Sequence, residues 1–74
     1  MSDIADIMIY VHPGLLSTKR NRIEEDVSEL EGVLSVVFDY ESPHELTVVF
    51  SPLSISSNTI LNRVRRWDEN AAIF

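Results

Sequence analysis

Few side chains in this 74-residue chain are suited to chemistry, and they are unevenly placed. His12 and His44 are the only imidazoles. His12, helped by an Asp or Glu, is a weak candidate metal ligand, and no other metal site suggests itself. The chain has no cysteine, which removes disulfides, thiolate metal sites, iron–sulfur clusters and cysteine nucleophiles together. Lys19, Arg20 and Arg22 form a cationic cluster, followed closely by Glu24, Glu25, Asp26, Glu29 and Glu31. Cations before acids run against a helix macrodipole, so this order reads as a dipolar docking surface whose basic end suits a partner's carboxylate or a phosphate. The plainer reading is that i,i+4 pairs, Arg20–Glu24 and Arg22–Asp26, offset the cost. Arg63, Arg65 and Arg66 fall late in a second helical segment, where cations suit the dipole. No Ser-His-Asp order, carboxylate pair in a cleft or phosphate loop is present, so neither an enzyme nor a cofactor is expected.

Composition sets the frame for these groups. Six Lys plus Arg against twelve Asp plus Glu leave a net charge of −6. An acidic chain repels phosphate backbones, which argues against nucleic acid as a partner. With 45% hydrophobic and 24% charged residues the chain is globular, and its length allows one domain over residues 1–74. The longest apolar run, Ile7–Val11, is far below the roughly 20 residues of a membrane-spanning helix. Met1-Ser2-Asp3 opens on an acid rather than a basic leader, so a cytoplasmic protein without membrane insertion is expected.

The elements that must position these residues follow from periodicity. Ile7–Val11 is β-branched and aromatic and stops at His12-Pro13-Gly14, as a strand ending in a turn does. Ser17 or Thr18 is the expected cap of a helix running to about Leu30, with Leu16, Ile23, Val27 and Leu30 on its apolar stripe and Gly32 at its C′ position. Val33–Tyr40 reads as a second strand, with Val36, Phe38 and Tyr40 on one face. Glu45–Phe50 reads as a third, alternating Leu46, Val48 and Phe50 with Thr47 and Val49, and a hairpin joins the two. A second helix runs to about Asp68, with Ile60, Leu61, Val64 and Trp67 inside, and Ala71–Phe74 adds an edge strand. Trp67 is expected to be largely buried, packed toward that last strand. The order β-α-β-β-α-β predicts an α+β, ferredoxin-like sandwich: a four-stranded antiparallel sheet with two helices on one face.

From Val11 to Pro52 the chain resembles the heavy-metal-associated domain of copper chaperones, mercury carriers and metal-pumping ATPases. That family reads as a strand, a Gly-Met-x-Cys-x-x-Cys loop, an apolar helix stripe, a Leu-Pro-Gly-Val turn and a strand pair closing in Asp-Pro. Here Leu30-Glu31-Gly32-Val33 matches the turn, Ile23 and Val27 the stripe, and Ser51-Pro52 the closing pair. Pro13-Gly14 replaces Gly-Met, and Leu16 and Lys19 stand at the two cysteine positions. Leucine cannot coordinate and lysine repels a cation, so the family's soft-metal site does not carry over.

The resemblance implies a docking scaffold without its thiolates: a non-enzymatic protein–protein interaction module. The alternative is a metal-ion carrier or metal-handling accessory using harder ligands, His12 foremost. The loop after the first strand and the hairpin are expected at opposite ends of the sheet, keeping His12 from His44. Alternation places Met8, Tyr10, Val37, Thr47 and Val49 on the uncovered sheet face, an apolar surface suited to a protein partner or a weak homodimer.

Overall fold

A computed structural model describes residues 3–74. The reading of the first two residues, Met1 and Ser2, lies outside that range. The chain runs β1 (Ala5–Tyr10), α1 (Ser17–Ser28), β2 (Val33–Phe38), β3 (Glu45–Phe50), α2 (Ser57–Val64) and β4 (Ala72–Ile73). The strands form one sheet in the order β2-β3-β1-β4, with every pairing antiparallel. The helices cover one face of it, which is the ferredoxin-like arrangement expected. Ile23 and Val27 of α1 and Ile60, Leu61 and Val64 of α2 form one buried cluster with Ile9, Leu46, Val48 and Phe50 of the central strands. The period-2 pattern of β3 and the helical spacing of α2 both meet at this cluster.

Local chemistry explains most of the boundaries. Ser56 caps α2, its hydroxyl accepting from the Thr59 N–H at 3.2 Å. Gly32 is the third residue of a turn closed by the Val33 N–H on the Leu30 carbonyl at 3.1 Å. Its φ of 96° is the signature of a type II turn, and a Cβ there would lie 2.8 Å from Ser54 Cβ. Glycine is therefore required twice, by conformation and by space.

Several expectations are corrected. Neither Ser17 nor Thr18 caps α1: Leu16 is the N-cap residue, extended at φ −67° and ψ 150°, with no side-chain cap. Its side chain is 72% exposed and not part of the apolar stripe. α1 ends at Ser28, so Gly32 belongs to the turn before β2 rather than to the helix end. β2 stops at Phe38, and Tyr40 is 99% exposed because the hairpin has already begun to turn. α2 stops at Val64, and the chain turns through Arg65 and Arg66. That turn carries Trp67 against α1 rather than toward β4, and leaves it half-buried. An irregularity between Val33 and Ser35 sets Ser35 opposite Val49, leaving Leu34 as the extra residue of a bulge.

Candidate functional site

Antiparallel pairing of β1 with β3 decides where the chemistry gathers. Tyr10, the last residue of β1, is opposite Glu45, the first of β3, and the Val11 N–H donates to the His44 carbonyl at 2.9 Å. The β1–α1 loop and the β2–β3 hairpin are therefore at the same end of the sheet. The expectation of opposite ends is wrong, because β1 and β2 run the same way on either side of β3.

Even so, His12 is turned to a structural task. Its Nδ1 accepts the Gly14 N–H at 2.8 Å, so the ring keeps its hydrogen on Nε2. Its backbone N–H donates to Asp68 Oδ2 at 2.7 Å, tying the loop to the segment after α2. His44 stacks on Tyr10, with ring centroids 5.4 Å apart. Among the described residues no three His, Asp or Glu side chains gather as a metal-binding group.

Leu16 and Lys19 flank the start of α1, three residues apart and so on one side of its first turn. Carbonyl oxygen of Leu16 accepts from both Lys19 N–H and Arg20 N–H at 3.0 Å. No acid is in this first turn. The pairs Arg20–Glu24 and Arg22–Asp26 do not form. Arg20 instead donates to the Leu15 carbonyl, and Asp26 is taken by α2's side of the molecule. The side chains of Lys19, Arg22 and Arg66 have no ion-pair or hydrogen-bond partner among the described residues. Leu16, Lys19, Arg22 and Trp67 line a shallow groove beside the α1 N-terminus.

A network that sequence reasoning missed holds that groove's wall in place. Asp26 accepts from Arg63 Nη1 and Trp67 Nε1, each at 3.0 Å, bridging residues 37 and 41 positions away. The indole hydrogen bond, with Arg63 beside it and Arg66 further off, holds the Asp26 carboxyl below the usual carboxylate range against the opposing effect of burial. A lowered folded-state value stabilises above the unfolded carboxyl value, about 3.9, and the contribution is lost as pH falls through the folded value. Asp26→Asn should therefore be less stable than wild type at pH 7, and the gap should close as pH falls below the unfolded carboxyl value of about 3.9. Urea unfolding across that range measures it. Trp67→Phe, which removes the indole N–H together with part of the ring packed on the core, should cost at least about 1 kcal/mol at pH 7.

The uncovered sheet face carries Met8, Tyr10, Val37, Thr47 and Val49, as expected from the register. Val37, Thr47 and Met8 lie side by side on three strands. Tyr10 and Val37 are exposed; Met8, Thr47 and Val49 are partly so. Two apolar members were not foreseen. Leu34, 58% exposed, is the bulged residue, and Phe74, 57% exposed, stacks on Tyr10 at 3.7 Å. Alternation along Ala72-Ile73-Phe74 was the available signal for Phe74. Leu34 had none, since the bulge breaks the period.

Comparison with known proteins agrees with this geometry. The heavy-metal-associated domain model matches residues 20–67, a span that begins just after Lys19. A copper-binding domain from HMA7, a P-type ATPase, superimposes with a TM-score of 0.80 at 19% identity, covering 93% of this chain and 92% of that one. The putative copper-ion-binding protein from Bacillus anthracis str. Ames gives 0.79 at 16% identity, over all of both chains. Oxidized MerP from Ralstonia metallidurans CH34 gives 0.76 at 17% identity, over 96% of this chain and 94% of that one. No curated protein sequence is significantly similar. With the matched span covering well over half the chain, this protein belongs to the heavy-metal-associated domain family, and its sequence contains no cysteine.

Proposed function

We propose that the protein is a non-enzymatic, cytoplasmic interaction module that keeps the family's scaffold and does not carry soft metal ions. The observation that carries this reading is the uncovered sheet face. Leu34, Val37, Met8, Tyr10 and Phe74 are exposed or partly exposed apolar side chains on the side without helices, which by the same register also carries Asp6 and Glu45. Contiguous apolar patches larger than a few hundred Å² mark contact surfaces. The occupant is a protein partner or, more weakly, a second copy related by a twofold axis. A homodimer burying about 1,200 Å² in total would be specific but modest. Two copies of net charge −6 repel, so such a dimer should tighten as salt rises.

Sedimentation velocity over a concentration series, at low and high salt, tests this. Wild type should associate and Val37→Lys should remain a folded monomer. A wild type that stays monomeric at high concentration would leave only a different protein as partner. The loop end of α1, with Lys19, Arg20 and Arg22, is the second docking surface, suited to acidic groups on a partner.

We place the carrier reading through His12 below this one. Binding a metal at His12 Nε2 would move the ring hydrogen to Nδ1, where Gly14 N–H already donates. Two-dimensional NMR during titration with Zn(II) and Ni(II) separates the readings, since a carrier would shift Val11, His12 and Gly14 at stoichiometric metal.

A further inference from the structure

β2 is an edge strand, six residues long, reading Val33-Leu-Ser-Val-Val-Phe38 with no charge and no proline. The other edge, β4, has only two residues. Edge strands are usually blunted by shortness, charge, proline or a bulge. β2 has only the bulge, and it lies at the start of the strand.

The phase of the ladder shows which backbone groups are free. The Asp39 N–H donates to the Glu45 carbonyl at 2.9 Å. Bonded and unbonded pairs alternate in an antiparallel ladder, so Val37 and Ser35 also bond across to β3. Val36 and Phe38, between them, turn N–H and C=O away from the sheet. No other hydrogen bond reaches these four groups among the described residues.

Charge then selects the occupant. Glu31 precedes the strand, Asp39 and Glu41 follow it, and all three are exposed. All six Lys and Arg lie at residues 19–22 and 63–66, on or just after the helices. A second copy paired antiparallel to β2 about a twofold axis would set Glu31 against Asp39 and Glu41 of its mate, at both ends. We propose that the β2 edge accepts an extended segment of a partner protein, apolar at alternate positions and flanked by Lys or Arg, as an added strand bonded to Val36 and Phe38. This surface is independent of the outward side chains argued for above.

The probe is a synthetic peptide, Lys-Lys-Val-Thr-Val-Thr-Val-Lys, with three controls. One has glutamate for lysine; the other two are N-methylated at alternate residues, one in each phase. Amide hydrogen exchange is read by NMR. Saturating basic peptide should slow exchange at Val36 and Phe38 at least tenfold, with Val37, already bonded to β3, little changed. The glutamate peptide should bind at least tenfold more weakly. One N-methylated phase should not bind, because it removes the donors that face the edge. Joint substitution of Glu31, Asp39 and Glu41 by Lys, all exposed positions, should reverse the preference between the peptides. Absence of saturable binding, protection at Val37 equal to that at its neighbours, or equal binding of both N-methylated phases would overturn the proposal. So would protection of Val36 and Phe38 that rises with protein concentration alone, since a second copy would then own the edge.

Discussion

Cysteine at positions 16 and 19 together is expected to create a Cu(I) site where none exists now. Without thiolates the protein should bind Cu(I) no tighter than about micromolar at neutral pH, because soft sulfur ligands are what select that ion. The scaffold is otherwise ready. Leu16 is the N-cap residue of α1 and 72% exposed, and Lys19 is exposed in the first turn. Their i,i+3 spacing puts both side chains on one side of that turn. The α1 N-terminus has no side-chain cap and no acid in its first turn, so its partial positive charge is free to stabilise thiolates. Removing Lys19 also removes a cation that would oppose the metal. Competition against a chromophoric Cu(I) chelator should show the double variant binding at least about 1,000-fold tighter than wild type, or roughly 4 kcal/mol. Single variants should gain far less, since one thiolate leaves the ion half-coordinated. A folded double variant that stays inert would mean that Leu16 and Lys19 are not the equivalents of the family's cysteines.

How much of this was legible beforehand differs by element. β3 was fully readable, because Leu46, Val48 and Phe50 alternate without interruption and all three are buried. α2 was readable at helical spacing through Ile60, Leu61 and Val64, but not its end, which comes at Val64 and leaves Trp67 beyond the helix. Gly32 was recognisable as a special position, although its role is in a turn rather than at a helix end. The start of α1 was misread because Ser and Thr are the usual capping types, whereas here the backbone turns one residue earlier at Leu16. Long-range contacts were the main loss. Nothing in the spacing of Asp26, Arg63 and Trp67 links them, and only the packing of α1 beside the end of α2 brings them together. The convergence of His12's loop with His44's hairpin was deducible from strand direction alone, once β1 is placed antiparallel to β3. The absence of any thiolate ligand was the clearest feature of all, since a lack of cysteine is a property of composition and needs no fold.

Ile23→Ala is expected to be the most damaging single truncation on α1. Ile23 is fully buried and belongs to the cluster that joins α1 to α2 and the sheet. Removing its outer carbons loses their transfer energy and leaves a void that neighbours at native density fill only in part. The cost should be about 2–5 kcal/mol. A domain of 74 residues has roughly 4–11 kcal/mol to lose, and no disulfide or thiolate metal site supplements its core. With a urea m-value near 1 kcal/mol/M, at the low end for small proteins, the midpoint should fall by about 2 M or more. Leu34→Ala is the matched control: Leu34 is 58% exposed on the uncovered face and should change stability by no more than about 0.5 kcal/mol. The contrast between two aliphatic truncations separates burial from hydrophobicity as such. If the two variants unfold at the same urea concentration, α1 does not present Ile23 to the core. Because the same turn of the helix orients Asp26 toward Trp67, the groove beside the α1 N-terminus would lose its basis as well.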